Sequence, residues 1–169
     1  PSENVKGLSS MCVDHSHVLF LEYDGIDREH FEEELFILQE LFKLPPFYIF
    51  VTKEEIHKVT NKPFGNYHAI NLKKHTVGQI QRIQDYSHCD HRYKVLYKSS
   101  IFKDWVLRQS TKGEREPPMY DGLIGNKKHL EYQISRPHLM YLVNNHKVDP
   151  VFYINLDEHS KLHTTKYKT

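Results

Sequence analysis

The run His17-Val-Leu-Phe-Leu-Glu-Tyr-Asp24, closed by Gly25, constrains the fold more than any other stretch of the chain. Its aliphatic, β-branched and aromatic residues predict a buried strand whose end turns polar. Side chains alternate across a strand, so Glu22 and Asp24 fall on the same face. The fold must therefore bury most of this strand while presenting two carboxylates at one end of it.

The segments that follow build a sheet around it. Asp27 suits an N-cap. Phe31, Leu35, Leu38 and Phe42 then recur at helical spacing, with Glu32, Glu33 and Glu34 between them. Pro45 and Pro46 stop this helix near Lys43. Residues 47–51, Phe-Tyr-Ile-Phe-Val, read as a second strand. Residues 52–65 are polar, with Pro63 and Gly65, and read as a loop with a short helical turn over 54–59. Residues 66–72 make a third strand. Thr76-Val-Gly-Gln79 is a capping-box pattern opening a helix to about Ser87, with Ile80 and Ile83 on its inner face. Residues 90–98 read as a further helix and 104–108 as a fourth strand.

Strand, helix, strand, strand, helix, strand is the split βαβ pattern. The expected class is α+β, a ferredoxin/RRM-like βαββαβ sheet in the order 4-1-3-2 with helices on one face. At 169 residues the chain fits one domain, 1–169, with a core over about 17–115 and an extension over 116–169. In that extension Tyr132-Gln-Ile and 152–156 look strand-like, and 137–144 helical. The first dozen residues are polar and read as loose. Eleven Tyr and nine Phe point to an aromatic-rich core.

Composition excludes several classes. No run of about 18 apolar residues is present to span a membrane. Residues 1–11 lack the charged and apolar regions of a signal peptide. Two cysteines, Cys12 and Cys89, do not make a disulfide framework, so an intracellular, cytoplasmic setting is expected, with one bridge left open. A net charge of +1 is not a strongly basic nucleic-acid coat.

An acidic pair spaced i, i+2 is a compact oxygen site for Mg²⁺ or Mn²⁺. His68 and Asn66 lie on the third strand, beside the first in the expected order. Gly65 would let a ligand approach the backbone closely. Arg108 and Ser110 share a face at the end of the fourth strand, and Lys112 follows. Arg and Lys beside a metal-binding acidic pair suit a triphosphate.

Leu19-Phe-Leu-Glu-Tyr-Asp24 resembles the first motif of archaeo-eukaryotic primases and primase-polymerases. Asn66-Tyr-His68 is similar to their second motif, and Trp105-Val-Leu-Arg-Gln-Ser110 with Lys112 resembles the strand carrying their third. The resemblance spans roughly residues 17–115. It implies a palm that joins nucleoside triphosphates on a single-stranded template, with Glu22 and Asp24 holding the metal and His68 catalytic and in contact with the incoming phosphates. Asn66, Arg108, Ser110 and Lys112 would complete the nucleotide site, and a helicase or another replication protein would be a partner. The third motif usually supplies a carboxylate. Gln109 stands there instead, with Asp90 and Asp157 as substitutes by type.

Two other classes compete. One is a catalytically silent palm that binds nucleic acid in replication. The other is a rolling-circle-type nuclease, with His15-Ser-His17 as metal ligands and Tyr93 or Tyr97 as nucleophile. Cys89-Asp-His91, with His88, is a further zinc candidate that Cys12, His15 and His17 would have to complete.

Overall fold

A computed structural model describes residues 5–100, 102–126 and 133–148. In chain order the elements are β1 (Gly7–Ser9), β2 (His17–Asp27), α1 (Arg28–Phe42), β3 (Phe47–Ile56), β4 (Pro63–His75), α2 (Val77–Tyr86), α3 (His91–Lys94), α4 (Leu96–Ser99), β5 (Val106–Arg108), β6 (Met119–Ile124) and α5 (Arg136–His146). The class is α+β, with a four-stranded antiparallel sheet in the order β2-β4-β3-β6 and a two-stranded ribbon of β1 and β5. No helix among the described residues is long and apolar enough to cross a membrane.

The central strand, β4, is buried on both faces. Tyr67 and Ala69 point towards the helices, where the Phe31 ring stacks on Tyr67 at 4.7 Å and meets the edge of Tyr23 at 5.0 Å. The stripe Phe31, Leu35 and Leu38 of α1 is buried as its spacing predicts. Asp27 takes the N-cap position without a side-chain bond, and Lys43 closes the helix in the left-handed conformation ahead of Pro45. Thr76 and Gln79 form the full capping box of α2. Glu34, read as one of the charged residues between the stripe positions, is instead buried.

The opposite face carries Phe20, His68, Ile70, Tyr48 and Phe50. The extension covers much of it. Pro137 sits in the first turn of α5, the Ser135 side chain caps it, and Leu139 and Leu142 are buried. His138 meets Phe20 edge-on, and His146 meets Phe50 at 4.8 Å. Strand β6, which the sequence reading did not anticipate, extends the sheet beyond β3 and sets Tyr120 against Phe50.

Four expectations are corrected. Residues 52–65 are not a loop: β3 and β4 form one long hairpin that turns only over 57–62, because Phe64 and Ile56 continue the ladder. The N-terminal residues are not all loose, since Gly7–Ser9 pair with Val106–Arg108. The fourth strand therefore does not lie against β2. The outer edge of β2 is taken by Ser10, whose carbonyl accepts from Val18 N, by the Gln84 amide on the Phe20 carbonyl, and by Asp90 N on the Glu22 carbonyl at 2.7 Å. With those groups satisfied, no free ladder is left for β5. The single helix expected over 90–98 is two short ones broken at Val95. Gln133 and Ile134 reach β4 through one isolated bridge, Lys73 with Ile134. Tyr132, Asp157 and the strand-like 152–156 lie outside the described residues.

Gly65 is fixed by the hairpin. A Cβ there would sit 1.9 Å from the Lys53 carbonyl oxygen, so the close approach is made by the neighbouring strand. Gly78, in the first turn of α2, meets nothing within 4 Å. Gly65→Ala should cost about 1–3 kcal/mol through forced backbone displacement. Gly78→Ala should stabilise by up to about 1 kcal/mol through helix propensity. Urea denaturation of both variants reads the two signs.

Candidate functional site

The ladder changes register on both sides of Asn66. Opposite it on β2 the pairing steps from Tyr23 to Ile26, and on β3 from Val51 to Lys53. Gly25 supplies the positive φ of 64° at the first bulge, and its amide donates to Asn66 Oδ1 at 2.8 Å. At the second, the Thr52 hydroxyl donates to the Asn66 carbonyl. Bulges re-aim side chains and recur beside functional sites. Here they spread the end of the sheet into a cleft of about 690 Å³ that α5 leaves open.

The cleft brings together most of the residues expected from sequence. Glu22, Asp24, Asn66, His68, Arg108 and Lys112 line it, joined by Asp90, Arg92, Glu114, Arg115 and Glu116. Ser110 does not: its hydroxyl accepts from Lys6 N at 2.8 Å, and its carbonyl accepts from the Arg108 guanidinium. Asn66 lines the wall but its side-chain oxygen is committed to the bulge. Gln109 faces α5, where its side-chain oxygen accepts from Tyr141 and meets His146 Nε2 at 2.6 Å. Asp90 enters because its amide is bound to the Glu22 carbonyl. Sequence reading named Asp90 by type alone. Arg115 was missed, and its only signal is the Lys112-Gly-Glu-Arg115 turn, in which Lys112 and Arg115 exchange backbone hydrogen bonds around Gly113 at φ 60°.

Charge is arranged as two like-signed sets. Burial, then Asp90, raise the Glu22 pKa above its ordinary value. Burial, then Arg115, lower that of Arg108. Among the described residues no salt bridge engages Arg108, Lys112 or Arg115. A larger depression of about 840 Å³ lies at the start of α1, but its arginine, Arg28, is already held by Glu32, Glu54 and Asp121.

His68 forms the floor. It is 4% exposed, and burial, assisted by Arg108, pushes its pKa down to about 3. It is therefore neutral, and its 3.8 Å approach to Glu22 Oε2 is an imidazole beside a carboxyl rather than an ion pair. Its Nδ1 is buried with no hydrogen-bond partner among the described residues.

The donor set of Glu22, Asp24 and Asp90 is all carboxylate, the chemistry that suits a hard divalent ion. Their spacing is looser than a closed site. Among the described residues, the group of three ligand atoms mutually within 4.8 Å is His30, Glu34 and His88, on the other face of the sheet.

Several of the remaining candidates serve packing. His17 is buried, 2.9 Å from the Ser10 hydroxyl and edge-on to Trp105, while His15 sits exposed in the turn before β2. Tyr93 is buried and Tyr97 stacks on Trp105 at 4.9 Å. Cys12 and Cys89 are both free, and burial pushes the Cys89 thiol up to about 11.

Comparison with protein-family models, with curated proteins and with solved structures yields no match.

A buried neutral histidine has a consequence for pH. His68 takes up a proton near the ordinary histidine value of 6.5 only when the chain unfolds, and its folded pKa is about 3. The unfolded state binds more protons across that window, so stability is retained above it and lost as pH falls through it. The slope is up to about 1.4 kcal/mol per pH unit for each such histidine. His75, held at about 4, adds to it. Urea midpoints followed from about pH 7 to about pH 4.5 should fall less steeply in His68→Gln than in the parent.

Proposed function

We propose that this chain is a nucleotidyltransferase of primase-polymerase type, a ferredoxin/RRM-like palm that joins nucleoside triphosphates on a single-stranded template. The observation that carries the reading is the pair of like-charged sets across one cleft, Glu22 with Asp90 and Arg108 with Arg115. Burial and a like-charged neighbour disfavour the charged forms of Glu22 and Arg108, only partly offset by their mutual attraction and by the Arg92–Asp90 pair at 3.6 Å, and a divalent ion together with a polyphosphate would relieve both sets. The topology agrees with such a palm in its strand, helix and hairpin, β2-α1-β3-β4, with β4 between β2 and β3. It departs at the outer edge of β2, where Ser10, the Gln84 side chain and Asp90 stand in place of a fourth strand.

In this reading Arg108, Lys112 and Arg115 hold the phosphates. Glu22 and Asp24, with Asp90 beside them, hold Mg²⁺ or Mn²⁺, which when bound would neutralise charge on the attacking and leaving oxygens. Neutral His68 offers a hydrogen bond to the phosphates without adding charge. Its orphaned Nδ1 fixes nothing in the protein, so the tautomer is free to follow the ligand.

One observation favours a second reading. Asp90 Oδ1 already caps α3 by accepting from Arg92 N at 3.0 Å, and the three carboxylates do not close on one point. A catalytically silent palm that binds nucleotides or nucleic acid fits that arrangement.

Mn²⁺-dependent triphosphate binding and template-directed incorporation separate the two. Arg108→Ala should weaken triphosphate binding about tenfold or more, the loss of a charge-assisted contact. Glu22→Ala/Asp24→Ala should abolish incorporation. Binding without incorporation by the parent would favour the silent palm. Absence of both in folded protein would overturn the nucleotide reading.

A further inference from the structure

On the helix side of the sheet, His30 and Glu34 stand one turn apart on α1, a spacing that puts both side chains on one face. His88, in the segment between α2 and α3, meets them there. Ligand atoms of all three lie within 4.8 Å of one another. The His88 Nδ1 is 2.6 Å from Glu34 Oε1, and the His88 amide donates to both carboxylate oxygens at 3.0 Å. The two imidazole rings are 5.3 Å apart.

The burial pattern separates this group from an ordinary surface ion pair. Glu34 is 5% exposed, and among the described residues its salt-bridge partner is a histidine, with no lysine or arginine paired to it. A buried carboxylate needs compensation. A protonated His88 would supply some. It would leave no role for His30, whose ring converges on the same point and would repel a second imidazolium. A divalent cation uses all three groups. Two imidazole nitrogens and one carboxylate oxygen are a ligand set suited to Zn²⁺ with one position left open. His30 and the His88 side chain are exposed, so that position faces solvent.

We propose that His30, Glu34 and His88 form a Zn²⁺ site that clamps the 87–90 segment onto α1. The clamp reaches the cleft through two residues of backbone. Asp90, whose amide holds the Glu22 carbonyl and whose carboxylate lines the cleft, follows His88 directly after Cys89. The bound ion therefore fixes the acidic wall of the cleft from the opposite side of the sheet. The site stands on its own donors and does not depend on what the cleft binds.

The test uses the full chain, free of affinity tag and metal, carrying Glu22→Ala/Asp24→Ala so that cleft acids do not compete. Co²⁺ titration followed by visible d–d absorption, then displacement by Zn²⁺ against a chromophoric chelator, reads stoichiometry and affinity. The expected result is one ion per chain. His30→Ala and His88→Ala should each weaken Zn²⁺ binding by at least about tenfold, the scale of losing a group that supports a metal site. His91→Ala, an exposed neighbour outside the cluster, should leave it unchanged. Zn²⁺ should also slow hydrogen exchange at the Asp90 amide in the test protein and not in its His30→Ala derivative. Both histidines are exposed, and thermal melts of the metal-free variants verify that they fold. Absence of binding, or binding that His30→Ala and His88→Ala leave intact, would overturn the proposal. So would equal weakening by His91→Ala, which would place the ion elsewhere.

Discussion

The geometry of the cleft depends on the pairing of β4 at Asn66, where both neighbouring strands insert an extra residue. Glu22, His68 and Phe50 lie in one paired row across β2, β4 and β3, and His146 of α5 covers the Phe50 end of it. The bulges begin beyond that row, at Asn66, and interrupt the regular ladder there. Gly25 takes a backbone conformation that other residues adopt at a cost, and Asn66 stabilises it with a side-chain bond to the Gly25 amide. Gly65 then brings the hairpin so close that only a hydrogen fits between its Cα and Lys53. Three small or polar residues thus set where packing ends and the polar cleft begins.

Electrostatics in the cleft follow from that boundary. Glu22 and Arg108 are each partly buried, and each is pushed towards its neutral form by burial and a like-charged neighbour. Among the described residues no salt bridge engages Arg108 or Arg115, and the acids are crowded by the backbone bond that brings Asp90 to Glu22. Natural folds seldom retain such conflicts without a compensating role, and perturbed carboxylates and guanidinium groups in a cleft are a physical reason to look for a charged ligand. Neutral His68 between the two sets adds polarity without adding to either repulsion.

Local signals made much of the helix-bearing half legible. The stripe of α1, the prolines that end it and the capping box of α2 are encoded within a few residues each. The acid-x-acid strand end and its neighbour His68 were legible because alternation and hairpin order fix who faces whom. The edge of β2 was not legible. Its carbonyls are satisfied by one glutamine side chain and one loop amide, and neither leaves a periodic pattern. Strands β1 and β5 have three residues each, too short for alternation to register. Glu34 was hidden for the opposite reason: three consecutive glutamates look like a solvated face, and His88, which gives one of them a reason to be buried, lies 54 positions away.

The same 87–90 segment therefore joins both faces of the sheet. Ser87 ends α2 and, by its hydroxyl, returns to the Gln84 carbonyl. His88 turns towards α1, Cys89 is buried between, and Asp90 turns towards the cleft. Four residues leave little slack, since each extended residue spans only about 3.3–3.6 Å. A shift of His88 away from Glu34 must be absorbed within two peptide units or passed to the Asp90 amide. That amide closes the outer edge of β2 at Glu22, so losing it would expose the carbonyl of the very residue whose carboxylate stands in the cleft. The position of the acidic wall is thus governed as much by what holds His88 as by the sheet from which Glu22 projects.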